Sequence, residues 1–172
     1  GVSVSYAQLN TERILAIGRN ALFFNDYVLS IQYFNQIIKI KPYLAEPYMY
    51  RAIAKIQLGD YNGAAKDCEE VIKRNPFLPG AYYIRGFIYR ENQSYESAEK
   101  DFTKALEFAP GNKSYIINRA DVRQRQKKYD DAEKDIKLLL AKEPNAADLY
   151  YELGKIQLAK QDTTTAAKTF ER

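Results

Sequence analysis

Apolar positions along the chain recur with helical spacing, and each helical stretch ends at a short polar break. Within residues 79–112, two sets at i, i+4 and i+7 follow one another: Tyr82, Gly86 and Tyr89, then Ala98, Phe102 and Ala105. Breaks of this kind are marked by residues that can cap a following helix: Asn25-Asp26, Gly59-Asp60, Ser94 and Asp162. The pattern predicts an all-α chain in which the helices come in pairs.

The helix pairs repeat with a fixed period, which the prolines show directly. Successive prolines are 34 residues apart (76 − 42, 110 − 76 and 144 − 110): Pro42, Pro76, Pro110 and Pro144. Proline lacks an amide donor and disfavours helix in the preceding residue, so each is predicted to close the second helix of a pair. Pro47 and Pro79 lie instead in a first turn, where proline is tolerated.

Other columns follow the same period. A tyrosine recurs at Tyr27, Tyr61, Tyr95 and Tyr129, with Thr163 in the fifth slot. Small residues recur in two columns, Gly18, Ala52, Gly86, Ala120 and Gly154, and then Ser30, Ala64, Ala98, Ala132 and Ala166. Because a mid-helix glycine costs about 1 kcal/mol relative to alanine, we expect these columns to let the two helices of each pair cross closely, with Gly86 against Ala98 as one contact. Four residues after the second column come Phe34, Cys68, Phe102, Ile136 and Phe170, so Cys68 is expected to be a buried apolar residue.

In this order the columns resemble the tetratricopeptide repeat, and residues 79–112 fill its signature nearly in full. The resemblance covers four complete units and most of a fifth: 11–44, 45–78, 79–112, 113–146 and 147–172. It implies an α-solenoid of antiparallel helix pairs, a right-handed superhelix of about five repeats whose first helices line a concave groove. The departures from the signature are Ile14, Ala21 and Ser30 in the first repeat and Arg123 in the fourth.

Proteins of this family are typically scaffolds that bind peptides or protein segments. Family geometry places these residues on the groove side: Met49, Tyr50, Ile53, Tyr83, Ile84, Phe87, Asn118, Asp121 and Arg125, together with Leu15, Arg19, Leu22, Ile56 and Ile117. The alternative is that these side chains pack between neighbouring first helices. One subfamily grips the C-terminal carboxylate of chaperones with a clamp of Lys, Asn and Arg. The clamp columns hold Leu15, Arg19, Tyr50, Gly80 and Ile84 here, and a single cation disfavours that ligand.

Charged residues also recur with the period. One ladder is basic and the other acidic: Arg51, Arg85 and Arg119, and Asp67, Asp101 and Asp135. Matching periods favour structural salt bridges between helices, and the alternative is that the arginines hold an acidic ligand. The basic stretch from Arg119 to Lys137 is interrupted by acidic residues from Asp130 onward, which favours a solvated face of mixed charge over a nucleic-acid interface.

Composition narrows the chemistry further. The chain has 172 residues, of which 46% are apolar and 28% charged, as is typical of a folded chain. It contains no histidine, so catalytic triads, Cys-His dyads and histidine metal sites are excluded within these residues. Gly59 and Gly63 lack the Lys-Ser/Thr that a phosphate-binding loop needs. These features predict a protein that is not an enzyme and binds no cofactor or metal, and the net charge of +4 indicates neither nucleic acid nor a membrane as partner.

Residues 1–10 precede the repeats and are predicted to form a leader distinct from the repeat domain of residues 11–172. Val4-Ser5-Tyr6-Ala7 followed by Gln8 is similar to the end of a secretory signal peptide, with a frayed tail as the alternative. A signal peptide here predicts an extracytoplasmic location, periplasmic or secreted. A frayed tail predicts a cytoplasmic location instead. No stretch of about 20 apolar residues predicts a membrane span. The last unit is eight residues short of a full repeat (34 − 26), so we expect the array to continue beyond Arg172.

The leading functional hypothesis is a scaffold that binds a protein or peptide segment in the groove of repeats 2 to 4. The second is self-association into a homo-oligomer, in which another copy covers the apolar surface. The third is that these repeats are the sensory or docking region of a larger enzyme or receptor. None of the three identifies the ligand, because a shared fold does not transmit specificity.

Overall fold

The computed structural model describes the backbone of residues 2–170 and the side chains of residues 10–164 and of Lys168. Within that range the chain forms nine α-helices joined by short turns: α1 (Val2–Phe23), α2 (Tyr27–Ile40), α3 (Glu46–Gln57), α4 (Tyr61–Arg74), α5 (Pro79–Glu91), α6 (Tyr95–Phe108), α7 (Lys113–Arg125), α8 (Tyr129–Lys142) and α9 (Ala147–Phe170). The helices form two compact units, Gly1–Ile88 and Tyr89–Arg172. The predicted all-α solenoid architecture is confirmed.

The turn inside each of the first four helix pairs contains a residue in the left-handed region. These residues share one column of the 34-residue period, with φ between 62° and 82°: Asn25, Gly59, Gln93 and Lys127. The carboxylates of Asp26 and Asp60 then accept hydrogen bonds from the amides of Leu29 and Gly63, at 3.4 and 2.9 Å, and so cap α2 and α4 as predicted. Ser94 occupies the N-cap position of α6 without a side-chain cap hydrogen bond, so its predicted capping role is wrong.

The prolines end the second helices where the period predicts. Each of the four follows its helix by two residues: Pro42 after α2, Pro76 after α4, Pro110 after α6 and Pro144 after α8. Three of their carbonyls accept a hydrogen bond from a tyrosine hydroxyl six residues later: Tyr48, Tyr82 and Tyr150, at 3.4, 2.9 and 2.9 Å. These bonds tie the start of one helix pair to the end of the preceding pair. Pro79 begins α5 and Pro47 lies in the first turn of α3, as predicted.

The fifth unit does not form the predicted helix pair. The sequence predicts a break at Asp162, but residues Ala147–Phe170 form the single helix α9, so this prediction is wrong. The hydroxyls of Thr163 and Thr164 donate to the carbonyls of Ala159 and Lys160, at 3.0 and 2.9 Å, which fits an uninterrupted helix.

Packing gives the physical reason for this difference. A turn here would place Gln161 in the column of left-handed residues, at a cost of about 1–3 kcal/mol. In the earlier pairs a helix of 14 residues packs after the turn and offsets that cost. Thr163 replaces the tyrosine that follows the turn in the first four pairs, Tyr27, Tyr61, Tyr95 and Tyr129. The residue after this turn therefore adds little apolar surface to offset the cost.

At the other end, α1 continues through residues 10 and 11, where the sequence predicts the leader to meet the first repeat. Gly1 lies outside the described residues. The signal-peptide interpretation and the extracytoplasmic location stay predictions. Within the described part of the chain, none of the helices combines the length and apolar character needed to cross a bilayer.

In the first unit, α1 packs on α2, α2 on α3 and α3 on α4. Gly18 of α1 faces the ring of Phe34 of α2, which is fully buried, and a Cβ added at Gly18 would lie 2.7 Å from Cε1 of that ring. Ala52 and Ala64 are likewise fully buried, in one apolar cluster with Cys68. The prediction that Cys68 is a buried apolar residue is confirmed.

In the second unit, α6 packs on α7, α7 on α8 and α8 on α9. One apolar cluster joins these helices: Leu106, Ile116, Ala120, Ala132, Ile136, Leu139, Leu149 and Ile156. Ala120 and Ala132, from the two small columns, both belong to it. Gly86 and Ala98 fall in different units, so their predicted contact stays a prediction.

The first of the two columns of small residues has no such close contact at its last position, Gly154. Because α9 is a single helix, no second helix crosses Gly154, and no atom of the described residues lies within 4 Å of a Cβ added there. The close helix crossing predicted at this glycine is therefore wrong. Gly18 and Gly154 are the same residue type in the same column, but one is enclosed and the other is open.

This contrast predicts opposite effects of one substitution. Gly18→Ala and Gly154→Ala gain the same helix propensity of about 1 kcal/mol, but only the methyl group at Gly18 meets a buried ring that cannot move aside. We expect the Gly18→Ala variant to be less stable than the Gly154→Ala variant by about 1–3 kcal/mol. Urea denaturation followed by circular dichroism at low protein concentration measures this difference. Equal midpoints for the two variants would contradict the packing described at Gly18.

Candidate functional site

An apolar cleft lies between α3 and α5 in the first unit. Its volume is about 190 Å³, and its lining consists of Ile53, Ile56, Gln57, Tyr83, Ile84 and Phe87. Ile84 is only 8% exposed and belongs to the apolar cluster with Ala52 and Cys68, so the floor of the cleft is part of the core. The Phe87 ring meets the Tyr61 ring edge-on, with 6.3 Å between the centroids. This cleft, called the apolar cleft below, is supported by packed side chains on both helices.

The period explains why these side chains meet. Ile53 and Phe87 are 34 residues apart (87 − 53), so they occupy the same position on two successive first helices. Four of the residues predicted to contact a ligand therefore line one cleft: Ile53, Tyr83, Ile84 and Phe87. Ile56, also predicted on the groove side, lines it too.

Tyr50 lines a second cleft in the first unit, near the end of α1. This cleft has a volume of about 550 Å³ and is lined by Ala16, Arg19, Asn20, Leu22, Phe23 and Tyr50. The Tyr50 ring stacks on Phe34, with 5.8 Å between the centroids, and the Arg19 guanidinium lies 5.3 Å from its centre. Arg19, the one cation in the columns of the chaperone clamp, is thus engaged by an aromatic ring.

Met49 lines neither of these clefts. It is partly buried and packs against the apolar clusters that contain Ala52 and Tyr48. Its sulfur would lie 3.0 Å from a Cβ added at Gly80, at the start of α5. Met49 therefore lies between helices, as the packing alternative predicts for this column.

The remaining predicted ligand contacts are Asn118, Asp121 and Arg125, which line a cleft of about 380 Å³ in the second unit. Its full lining is Arg90, Glu91, Ile117, Asn118, Ala120, Asp121, Gln124, Arg125, Ile136, Glu152, Lys155 and Ile156. Arg90 donates a hydrogen bond to Oδ1 of Asn118 and lies 3.9 Å from the Asp121 carboxylate. Arg125 forms an ion pair with Asp121 at 3.2 Å. This polar cleft is therefore lined by charges of both signs that already contact one another.

Sequence reasoning missed several residues of these clefts, among them Gln57, Arg90 and Glu91. The 34-residue period contains the information needed to predict them. One column holds Ile56, Arg90 and Gln124, and the next holds Gln57, Glu91 and Arg125. Extending the groove by one position along each first helix would have found them. Among the described residues, no group of three or more Cys, Asp or Glu side chains is arranged to hold a metal ion.

The Arg and Asp ladders form ion pairs within each unit. The Arg51 guanidinium donates to both carboxylate oxygens of Asp67, at 2.9 and 2.7 Å, and Arg119 does the same to Asp135, at 3.1 and 2.6 Å. Both aspartates are buried, so their charges need these partners. Arg85 and Asp101 lie in different units, and their pairing stays a prediction.

Arg123, which departs from the repeat signature, is half-buried in a charge network. It lies 2.8 Å from both Glu99 and Asp135, so two carboxylates neutralise it where an apolar residue is usual. Glu99 also accepts hydrogen bonds from Lys128 at 2.7 Å and Gln126 at 3.0 Å. Burial raises the pKa of Glu99, but the bonds from Lys128, Arg123 and Gln126 outweigh it and lower the pKa from 4.5 to about 2. The basic stretch after Arg119 is thus largely paired with carboxylates.

Comparison with known proteins identifies the repeat. A family model described as tetratricopeptide repeat matches residues 51–113 and 117–172. No curated protein gives a match. Among solved structures, the chain is similar to MamA from Desulfovibrio magneticus RS-1, residues 41 to the end, with 19% identity and a TM-score of 0.79 over 94% of this chain and 91% of that one.

Two further solved structures cover 67% of this chain with a TM-score of 0.65 each. One is the Arabidopsis OM64 TPR domain, 25% identical and covered over 95% of its length. The other is the first TPR of Spaghetti (RPAP3) bound to the HSP90 peptide SRMEEVD, 23% identical and covered over 92%. Because the MamA structure covers 94% of this chain, the similarity of fold extends beyond the regions that the family model matches.

The Glu99 network predicts a specific loss of stability in acid. Because folding lowers the pKa of Glu99 from 4.5 to about 2, its contribution is complete above about pH 5 and is lost as the pH falls toward 2. Glu99→Gln removes the carboxylate and should lower the free energy of unfolding at pH 7 by about 1–3 kcal/mol. Between pH 7 and pH 3 the variant should then lose less stability than the wild type.

Urea denaturation at several pH values checks this expectation. Glu107→Gln is the matched control, because Glu107 is exposed and pairs only along its own helix with Lys104 in the described structure. The control should keep the pH profile of the wild type. A Glu99→Gln variant with an unchanged profile would contradict the assignment.

Proposed function

The chain belongs to the tetratricopeptide repeat family, and on that premise we propose that it is a non-enzymatic scaffold that binds an apolar side chain of a protein segment in the apolar cleft. Proteins with this fold commonly mediate protein interactions, and the family is generally non-catalytic. The observation that supports this cleft as the binding site is its lining. Five of its six side chains are apolar or aromatic, and the sixth is the uncharged Gln57.

The size of the apolar cleft favours a single anchoring side chain. Its volume of about 190 Å³ is smaller than the roughly 300–1,000 Å³ of clefts that hold small-molecule ligands. A leucine or phenylalanine of a bound segment would be enclosed by the Tyr83 and Phe87 rings, and such aromatic contacts provide much of the affinity in protein interfaces. The Gln57 amide at the same cleft can donate to a carbonyl of the segment and accept from an amide.

Preorganisation supports the same site. Ile84 is held in the core and Phe87 contacts Tyr61, so these walls lose little side-chain freedom when a ligand binds. The apolar cleft contains no cation, whereas the peptide in the Spaghetti structure, SRMEEVD, has three acidic residues. We therefore expect the preferred segment to be apolar at its anchor and to need no terminal carboxylate.

A selection from a random peptide library displayed on phage tests the proposal. Peptides selected on the wild-type protein should share an apolar side chain, and synthetic copies should bind in solution. Tyr83→Asp introduces a charge into the apolar cleft, and we expect it to weaken binding of those peptides at least about tenfold. Titration calorimetry with the selected peptides measures the change.

Tyr43→Asp is the matched control, since Tyr43 is 68% exposed and lies in the turn after α2, outside the apolar cleft. It should bind the peptides as the wild type does. Circular dichroism of both variants should show unchanged helix content. If Tyr83→Asp keeps that helix content and the wild-type affinity, the ligand does not use this cleft.

A further inference from the structure

The turns between helix pairs in the first unit carry exposed aromatic side chains. Tyr43 follows Pro42 after α2, and it is 68% exposed. Phe77 follows Pro76 after α4, and it is 69% exposed. Ile40, the last residue of α2, is 58% exposed. Singly exposed apolar residues are common in proteins, so the meaning of these three depends on whether they lie together.

Arg74, the last residue of α4, holds the two turns at one edge. Its Nε donates a hydrogen bond to the Pro42 carbonyl at 2.6 Å, and a terminal nitrogen donates to the Tyr48 hydroxyl at 3.1 Å. Its guanidinium carbon also lies 4.2 Å from the centre of the Tyr48 ring. The residues beside Pro42 and Arg74 therefore lie at the same edge of the first unit. This surface, residues 39–43 and 73–77, is called the aromatic edge below.

The repeat itself does not require aromatic residues in these turns. The column of Tyr43 and Phe77 continues with Gly111 and Asn145 in the next two repeats. Neighbouring repeats do not cover the position either, because Tyr43 lies between two complete helix pairs, α1–α2 and α3–α4, and is still mostly exposed. Large apolar side chains that stay exposed inside the array indicate a contact surface for another molecule.

Lysine side chains accompany the apolar residues of the aromatic edge. Lys39 is exposed and Lys41 is half-buried, and neither forms an ion pair within the described residues. The side chain of Lys73, at the end of the neighbouring α4, is 74% exposed and lies 3.6 Å from the Glu70 carboxylate. That carboxylate also pairs with Arg74, so it is already shared between two cations.

The balance of charge at the aromatic edge is therefore positive. Beside the shared Glu70, the acidic residue nearest in sequence is Glu46, in the first turn of α3. In the second unit the lysines beside the equivalent turn are paired with carboxylates: Lys104 with Glu107 at 2.9 Å, and Lys113 with Glu143 at 3.0 Å. Exposed aromatic rings and uncompensated lysines thus occur together in the turns of the first unit.

We propose that the aromatic edge binds the headgroup layer of a membrane that contains anionic phospholipids. Aromatic rings are favoured at the boundary between headgroups and acyl chains, and each lysine close to an anionic leaflet adds attraction. The attraction depends on where the lysines lie, so the small net charge of +4 for the whole chain does not oppose it.

The shape of the surface favours a membrane over an acidic protein segment. Protein partners are held mainly by side chains that fill pockets, whereas a fluid headgroup layer needs only projecting rings and cations. Neither Tyr43 nor Phe77 lines any of the three clefts described above. Apolar and electrostatic contacts also act together here, as stable attachment to a membrane surface requires.

Sedimentation of the protein with lipid vesicles tests the proposal. We expect binding to mixed vesicles, made of equal parts phosphatidylcholine and phosphatidylserine, that weakens in high salt, and much weaker binding to phosphatidylcholine alone. Tyr43→Asp should lower the partition coefficient for mixed vesicles at least about tenfold, because it removes a ring and places a negative charge against an anionic surface. Tyr151→Asp is the matched control, since Tyr151 is also 68% exposed but lies outside the aromatic edge.

A second pair of variants tests the charge separately. Lys39→Glu and Lys100→Glu change the net charge equally, and Lys100 is an exposed lysine of α6 outside the aromatic edge. The first should weaken binding to mixed vesicles at least about tenfold, and the second should leave it nearly unchanged. Absence of binding to mixed vesicles, or equal losses for the two members of either pair, overturns the proposal.

A tryptophan probe reports the contact independently of affinity. The chain contains no tryptophan, so Tyr43→Trp introduces a single one. With mixed vesicles its emission should shift to shorter wavelength and be quenched by brominated acyl chains, while the emission of Tyr151→Trp should not change. Vesicle-bound protein with unchanged emission from Tyr43→Trp overturns the assignment of this edge.

This proposal and the peptide-binding proposal fail independently of each other. Tyr83→Asp, in the apolar cleft, should bind mixed vesicles as the wild type does, and Tyr43→Asp should bind the selected peptides as the wild type does. Circular dichroism establishes that each variant is folded.

Discussion

The close approach of two helices at a small residue is the contact on which the rest of the repeat depends. At Gly18 the backbone of α1 comes so close to the buried Phe34 ring that no methyl group fits between them. The fully buried pair Ala52 and Ala64 belongs to the same two columns. Once these helices are close, their remaining apolar residues become buried, and successive first helices lie side by side. The apolar cleft is a consequence, since it forms where Ile53 and Phe87 occupy the same position on neighbouring first helices.

Charge has a second and different role in the repeat. Asp67 and Asp135 are buried, and each accepts two hydrogen bonds from an arginine on the first helix of its own pair. A buried ion pair contributes little net stability, but removing one partner is strongly destabilising. The pair therefore favours one alignment of the two helices over others. Arg123 extends this arrangement in the second unit, where Glu99 and Asp135 compensate for the loss of an apolar residue.

Features that depend on the period could be predicted from the sequence, and features that depend on packing between non-periodic residues could not. The prolines and the Asp26 and Asp60 caps act within a few residues, so their effects follow from local sequence. The residues of the apolar cleft follow from the columns. The Glu99 network does not, because the equivalents of Glu99 and Arg123 one repeat earlier are Ala65 and Tyr89. The column of Met49 predicts a position on the groove side, yet its contact with the start of α5 places this side chain between helices.

The fifth unit shows why a local signal is insufficient to end a helix. Asp162 is as suitable a capping residue as Asp26 or Asp60, but a cap contributes only about 1 kcal/mol. A turn with a left-handed residue costs at least as much, so it persists only where the following helix buries apolar surface. In the first four pairs that surface is present, and in α9 the helix continues instead. Because the helix continues, no second helix packs on Gly154 within the described residues. The absence of a turn at Asp162 therefore explains both why the predicted helix pair does not form and why one face of α9 leaves large apolar side chains exposed.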